Sequence, residues 1–185
     1  MFNFEKELRR GLIGTPLGVA RFFDPTIEFA KYMQSLDPEV IVFDVGAGAG
    51  HVTKFLTEAK RKAIAIDMHE HANPVTNVIM ADGTDFQYAK GSVVMLCRPC
   101  HGSFVEQVIL QADICNAGVI LYVGLERNVE DDLGDYFPHF VKVAANVGED
   151  GESIWRMSLA KRLHQRLGVA SPAKRTSRKA RSARA

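Results

Sequence analysis

The stretch Glu39 to Gly50, reading EVIVFDVGAGAG, restricts the possible folds more than any other part of this chain. Val40, Ile41, Val42 and Phe43 are continuously apolar rather than alternating, which predicts a strand buried on both faces, as parallel strands are. That strand runs into Asp44-Val45-Gly46-Ala47-Gly48-Ala49-Gly50 and then directly into HVTKFLTEAKRK, where Val52, Phe55, Leu56 and Ala59 recur at helical spacing. Three glycines let the backbone turn tightly and approach a ligand closely. The helix that follows offers unpaired N–H groups and the positive end of its dipole.

The same alternation continues along the chain. Strand-like runs are AIAID ending on Asp67, NVIMAD ending on Asp82, SVVMLC ending on Cys97, and AGVILYVG from Ala117 to Gly124. Between the last two, Val105, Val108, Ile109 and Ala112 mark a helical face. Ahead of the glycine loop, DPTIEFAKYMQSL predicts an amphipathic helix, with Asp24 as N-cap and Pro25 in the first helical position. Strands alternating with helices specify an α/β, doubly wound, mostly parallel sheet. HFVKVAAN and ESIWRMSL, separated by the turn-rich VGEDG, predict an antiparallel hairpin closing one edge of that sheet. A short helix from Leu159 to Leu167, capped by Gly168, is expected after it. Residues 1–168 are therefore read as one domain.

Charge is distributed unevenly. Residues 1–152 carry 22 acidic side chains against 13 basic ones, a net −9, whereas residues 153–185 carry 10 basic side chains and no acidic one. The final segment 169–185, poor in large apolar residues, has the composition of a basic disordered tail. Such a tail suits RNA, DNA or another polyanion, because Lys and Arg neutralise phosphates and release counterions; a merely solubilising role fits it as well. No apolar run approaches the roughly 20 residues that span a bilayer, and the charged start MFNFEKELRR does not read as a signal peptide, so a cytoplasmic protein is expected. Three cysteines, Cys97, Cys100 and Cys115, argue against a disulfide framework in that setting.

Asp67 closes the second strand 17 positions beyond Gly50, where a carboxylate can accept hydrogen bonds from both hydroxyls of a ribose. Asp82 closes the third strand, within reach of the amino group of an adenine, and each of the two acids also reads as a plain N-cap or loop residue. Together they outline an adenosine. A dinucleotide fingerprint G-x-G-x-x-G would need glycine where His51 stands, and Asp44 beside the loop would repel a pyrophosphate. A carboxylate there suits a ligand carrying an amine and a sulfonium.

On VFDVGAGAG, AIAID, IMADGTDF and the terminal hairpin, the sequence resembles the class I S-adenosylmethionine-dependent methyltransferases over roughly residues 25–160. The resemblance implies a Rossmann-like seven-stranded sheet whose reversed strand lies in the final hairpin. It also implies S-adenosylmethionine as cofactor, with Asp44, Gly46, Gly48 and Gly50 around the methionine part, Asp67 at the ribose and Asp82 at the adenine. The segment GVARFFDPTIEFAKYM looks like the F-x-P element of several adenine methyltransferases, in which Phe22, Phe23 and Pro25 would close over the cofactor. As aromatics ahead of a helix, the two phenylalanines also read as core staples.

VVMLCRPCHGSF raises a separate question, since Cys97-Arg98-Pro99-Cys100-His101 spells C-x-x-C-H. On a doubly wound sheet this loop follows the fourth strand at the topological switch point, where ligands bind. The adenine N6 methyltransferases carry Asp or Asn-Pro-Pro and an aromatic there, a pattern from which Cys97, Arg98 and Cys100 depart. RPCHGSF resembles the Pro-Cys loop of the cytosine C5 enzymes at Pro99 and Cys100, and implies Cys100 as a catalytic nucleophile. The same thiol also reads as a pocket-lining residue. Haem attachment, a redox dithiol, and zinc held by Cys97, Cys100, His101 and a distant Cys115 are further readings of the five letters, and none fits the rest of the chain, so no metal is expected. The sequence thus predicts a methyltransferase whose acceptor faces the loop from Arg98 to Ser103 and the segment containing Glu126, Arg127 and Asn128. The tail and the Pro-Cys loop point to a nucleic-acid acceptor, the acidic body away from one. A small-molecule acceptor, a non-catalytic binding module of the same fold, and a nicotinamide oxidoreductase are the alternatives.

Overall fold

The computed structural model describes residues 23–99 and 103–159. Its elements run α1 (Ile27–Ser35), β1 (Val42–Val45), α2 (His51–Glu58), β2 (Ala63–Asp67), β3 (Val78–Met80), β4 (Val93–Cys97), α3 (Ser103–Ile114), β5 (Val119–Gly124), α4 (Val129–Leu133), a 3-10 turn (Gly134–His139), β6 (Val141–Ala144) and β7 (Ser153–Ser158). The seven strands form one sheet in the order β3-β2-β1-β4-β5-β7-β6. Strands β1 to β5 pair in parallel, whereas β7 runs antiparallel to both β5 and β6. The predicted doubly wound sheet with an antiparallel terminal hairpin is therefore the observed one. The order reverses between β1 and β4, so the carboxyl ends of these two strands form the switch point.

Helices cover both faces of the sheet because every central strand is apolar on both sides. Val42, Met95, Leu121, Val123 and Ile154 pack on one side with Phe29 and Met33 of α1 and Val52 and Leu56 of α2. On the other side Phe43, Leu96, Ile120 and Tyr122 pack with Val105, Val108 and Ile109 of α3 and Leu133 of α4. Successive side chains of a strand point to opposite faces, so parity along each strand assigns every residue at the sheet edge to one layer.

Two sequence expectations need correction. Helix α1 begins at Ile27 with Thr26 as its N-cap, not at Asp24 and Pro25. Pro25 instead bridges to Gly148, Thr26 N donates to Val147 O at 2.8 Å, and its hydroxyl donates to Asn146 O at 2.7 Å. Pairing with the β6–β7 turn overrides a local capping signal. Strand β3 stops at Met80, two residues before Asp82, because the Asp82 carboxylate folds back to accept from the Thr84 N–H and hydroxyl, each at 2.8 Å. Beyond Glu126–Asn128, read from sequence as part of a loop, the chain forms α4 and a 3-10 turn. The expected helix 159–167 and the basic tail fall almost wholly outside the described residues.

Candidate functional site

The glycine loop occupies the carboxyl end of β1. Gly46, Gly48 and Gly50 have φ of +73°, +57° and +81°, a region in which a side chain is strained. The loop is tied to β2 by Gly46 N and Ala47 N, which both donate to Ile66 O. At Gly46 a Cβ would meet nothing within 4 Å, so the outer side of the loop is open. At Gly50 a Cβ would lie 2.5 Å from the Thr76 methyl, because residues 68–77 cross over the end of the loop with Val75 N donating to Ala49 O at 2.9 Å.

Asp67 stands beside this loop, as its sequence position implied, and is tied to it. Its Oδ2 accepts from the Gly48 N–H at 2.8 Å and its Oδ1 from the His69 N–H at 2.9 Å, with His71 Nε2 3.6 Å from Oδ2. Each carboxylate oxygen has two lone-pair sites, so each retains one for a hydroxyl. Asp82 lies at the same edge of the sheet, exposed, in the turn after β3. Nothing among the described contacts joins it to Asp67.

Asp44 is 1% exposed on the α2 side of β1 and accepts from the Thr53 hydroxyl at 2.8 Å. Burial pushes its carboxyl up to about 6; hydrogen bonds from Thr53 oppose the shift and the charge of Asp67 adds to it. Cys97, at the end of β4 on the same face, is a free thiol that burial pushes well above the ordinary range, with the carboxylates of Asp44 and Glu152 acting in the same direction. A thiol so placed is not a thiolate nucleophile near neutral pH. Cys115 follows α3 at the opposite end of the sheet, bonded around the Phe86 carbonyl, so it cannot share an ion with Cys97. Cys100 and His101 lie outside the described residues, and among those described no group of three His, Cys, Asp or Glu could hold a metal ion.

Several contacts at the site escaped the sequence reading. Arg98, in the left-handed region at φ +45°, ties its N–H to Val123 O at 2.7 Å and reaches with Nη1 to Asp150 Oδ2 at 2.9 Å and Glu152 Oε1 at 3.2 Å. Glu152 is 1% exposed although it directly follows the turn VGEDG, as the first residue of the segment ESIWRMSL. Tyr122 of β5 donates to the buried Asp132 of α4, anchoring the segment after β5; burial and that carboxylate both hold the phenol's proton on. Phe23 is a core residue in edge contact with Phe29, ring centroids 5.1 Å apart, so the staple reading of this aromatic holds. Phe22 is outside the described residues.

With this geometry, the likeness to solved structures is informative about fold. The chain superimposes on the 23S rRNA methyltransferase ErmE with a TM-score of 0.51 and 15% identity, covering 77% of this chain and 73% of that one. A SAM-dependent methyltransferase from Aquifex aeolicus gives 0.50 at 15% identity, covering 86% of this chain and all of the other. The ribosomal protein L11 methylase of Lactobacillus delbrueckii subsp. bulgaricus gives 0.50 at 13%, covering 72% and 78%. No family model matches the sequence, and no curated protein matches it. The fold is that of the class I S-adenosylmethionine-dependent methyltransferases. Its sheet carries their seventh strand reversed between β5 and β6, and its glycine loop, Asp67 and Asp44 meet at the carboxyl ends of β1 and β2. No helix among the described residues is long and apolar enough to cross a membrane.

Proposed function

We propose that this chain is an S-adenosylmethionine-dependent methyltransferase. The observation that carries the reading is the hydrogen bond from Gly48 N to Asp67 across the open glycine loop, which fixes the acid beside an unobstructed backbone cradle. The residues fit the cofactor. Gly46 and Gly48 leave room for close approach, Asp67 keeps free lone pairs for ribose hydroxyls, the exposed Asp82 is available to an adenine amine, and the Asp44 carboxyl is complementary to a cationic methionyl end. When bound, the cofactor supplies an electrophilic methyl group. The protein's own contribution is to align an acceptor atom with that methyl and to exclude water. Arg98, held by Asp150 and Glu152, and the segment 125–128, anchored through Tyr122 and Asp132, flank the place from which an acceptor would enter.

The acceptor we favour is nucleic acid, RNA or DNA, engaged through the basic residues 169–185, with Cys100 as a nucleophile if the acceptor is a pyrimidine carbon. The similar folds include one enzyme whose substrate is ribosomal RNA and another acting on a ribosomal protein. Calorimetric titration of S-adenosylhomocysteine into the full chain tests the cofactor assignment, with Asp67→Asn as control. Binding that weakens at least about ten-fold in the variant supports the assignment, since a charged hydrogen-bond acceptor contributes about 1.5–3 kcal/mol. A folded wild-type chain that takes up no S-adenosylhomocysteine would end it. Labelled methyl transfer to RNA, DNA and small amines, with and without residues 169–185, then identifies the acceptor class.

A further inference from the structure

We propose that Glu152, in the turn of the β6–β7 hairpin, binds the ammonium group at the amino-acid end of the cofactor. This rests on the methyltransferase reading above and adds a residue far in sequence from the glycine loop. Three side chains lie along the carboxyl edge of the sheet on the α1/α2 face. Asp44 shares parity with Val42, Cys97 with Met95, and Glu152 with Ile154, and these three apolar partners all belong to the core cluster beneath α1 and α2. Cys97 pairs with Val123, which pairs in turn with Ile154, so the row crosses the switch point without a break. Both carboxylates raise the Cys97 thiol, which places each of them within electrostatic reach of it.

Glu152 is the unusual member of the row. It is 1% exposed, and its Oε2 is buried with no hydrogen-bond partner among the described residues. Its other oxygen accepts from Arg98 Nη1 at 3.2 Å, a donor that bonds more closely to the exposed Asp150 at 2.9 Å. A buried carboxylate oxygen left without a donor is costly, and it marks a place where a donor belongs. Among the described residues, Glu152 thus has one cationic partner, Arg98, which it shares with a third acid, and Asp44 has none. Complementarity calls for a compact cation with N–H donors, and an ammonium supplies three. The side of the sheet indicates which ammonium. Asp44 and α2, which continue the glycine loop, lie on the Glu152 side, whereas Val129 and Leu133 of α4, beside the acceptor segment, pack on the other. The Gly148 backbone packs against one side of Glu152, since a Cβ at Gly148 would lie 2.1 Å from Oε2 and 2.7 Å from the Phe23 ring.

The test compares S-adenosylhomocysteine with its deaminated analogue by calorimetry on the full chain. Wild type is expected to prefer the amine-bearing ligand by about ten-fold or more. Glu152→Gln should lose that preference while binding the deaminated analogue as wild type does, and Asp150→Asn, at an exposed partner of the same arginine, should keep it. Retention of the full preference in Glu152→Gln overturns the proposal, as does a wild type that binds both ligands equally, a result that needs no variant to fold. Failure of a folded wild type to bind S-adenosylhomocysteine at all overturns instead the cofactor reading on which this rests.

Discussion

Replacing Asp44 with asparagine should stabilise this protein, and the gain should grow with pH. The carboxyl is 1% exposed and titrates at about 6 in the folded chain against 3.8 as its ordinary value. The sign follows from proton binding. Between those values the folded state holds a proton that the unfolded state has released, so stability present below pH 3.8 is lost as pH rises through about 6. A shift of about two units amounts to roughly 3 kcal/mol once both states are ionised. Linkage assigns about 1 kcal/mol of that loss to the range below about pH 4.5 and about 2 kcal/mol to the range from there to about pH 7.5. Asparagine keeps an oxygen to accept from the Thr53 hydroxyl and carries no charge to desolvate. Urea unfolding of both proteins at the two pH values measures the effect directly. The advantage of Asp44→Asn should widen by about 2 kcal/mol between them, worth several degrees in melting temperature at neutral pH. S-adenosylhomocysteine should bind the variant more weakly, since the carboxylate is retained against its own stability cost. A difference in stability that stays flat with pH would refute the argument that burial holds this carboxyl's proton.

The remaining predictions concern the loop, its anchors and the thiol. Gly50→Ala should destabilise by more than the roughly 1–2 kcal/mol of left-handed backbone strain, because its Cβ would lie 2.5 Å from the Thr76 methyl; Gly46→Ala, with open space around it, should show the strain alone, and paired unfolding curves compare them. Tyr122→Phe removes the phenol that donates to buried Asp132 and should cost about 1–3 kcal/mol, read from chemical denaturation, with slower turnover once an acceptor is known. Cys97 should resist alkylation in the folded protein at about pH 8 and react after unfolding, which mass spectrometry of the modified peptide resolves; rapid labelling in the native state would contradict its protonated, buried placement.

How much of this was legible beforehand follows from the range of the interactions involved. The strands β1, β2, β4 and β5 and helices α2 and α3 were readable because apolar pattern and glycine spacing act over a few neighbouring residues. The same holds for the glycine loop, where a turn that admits only left-handed conformations announces itself in the letters. The start of α1 was misplaced because its cap is decided by pairing with Asn146 and Val147, about 120 residues away. Helix α4 is too short for its pattern of Val129 and Leu133 to stand out, and its buried Asp132 looks like a surface acid until Tyr122 is seen beneath it.

The candidate site divides along the same line. Sequence alone determined that Asp44, the glycines and Asp67 stand at the carboxyl ends of their strands, whereas Asp82, read as the end of β3, lies in the turn two residues beyond it. Tertiary structure decided what each of them does there. Asp67 is held to Gly48 by a bond spanning 19 residues, and Glu152 meets Arg98 across 54. Burial, and with it the charge state of Asp44 and the missing donor at Glu152, is a property of what packs around a side chain, and those neighbours arrive from distant parts of the chain.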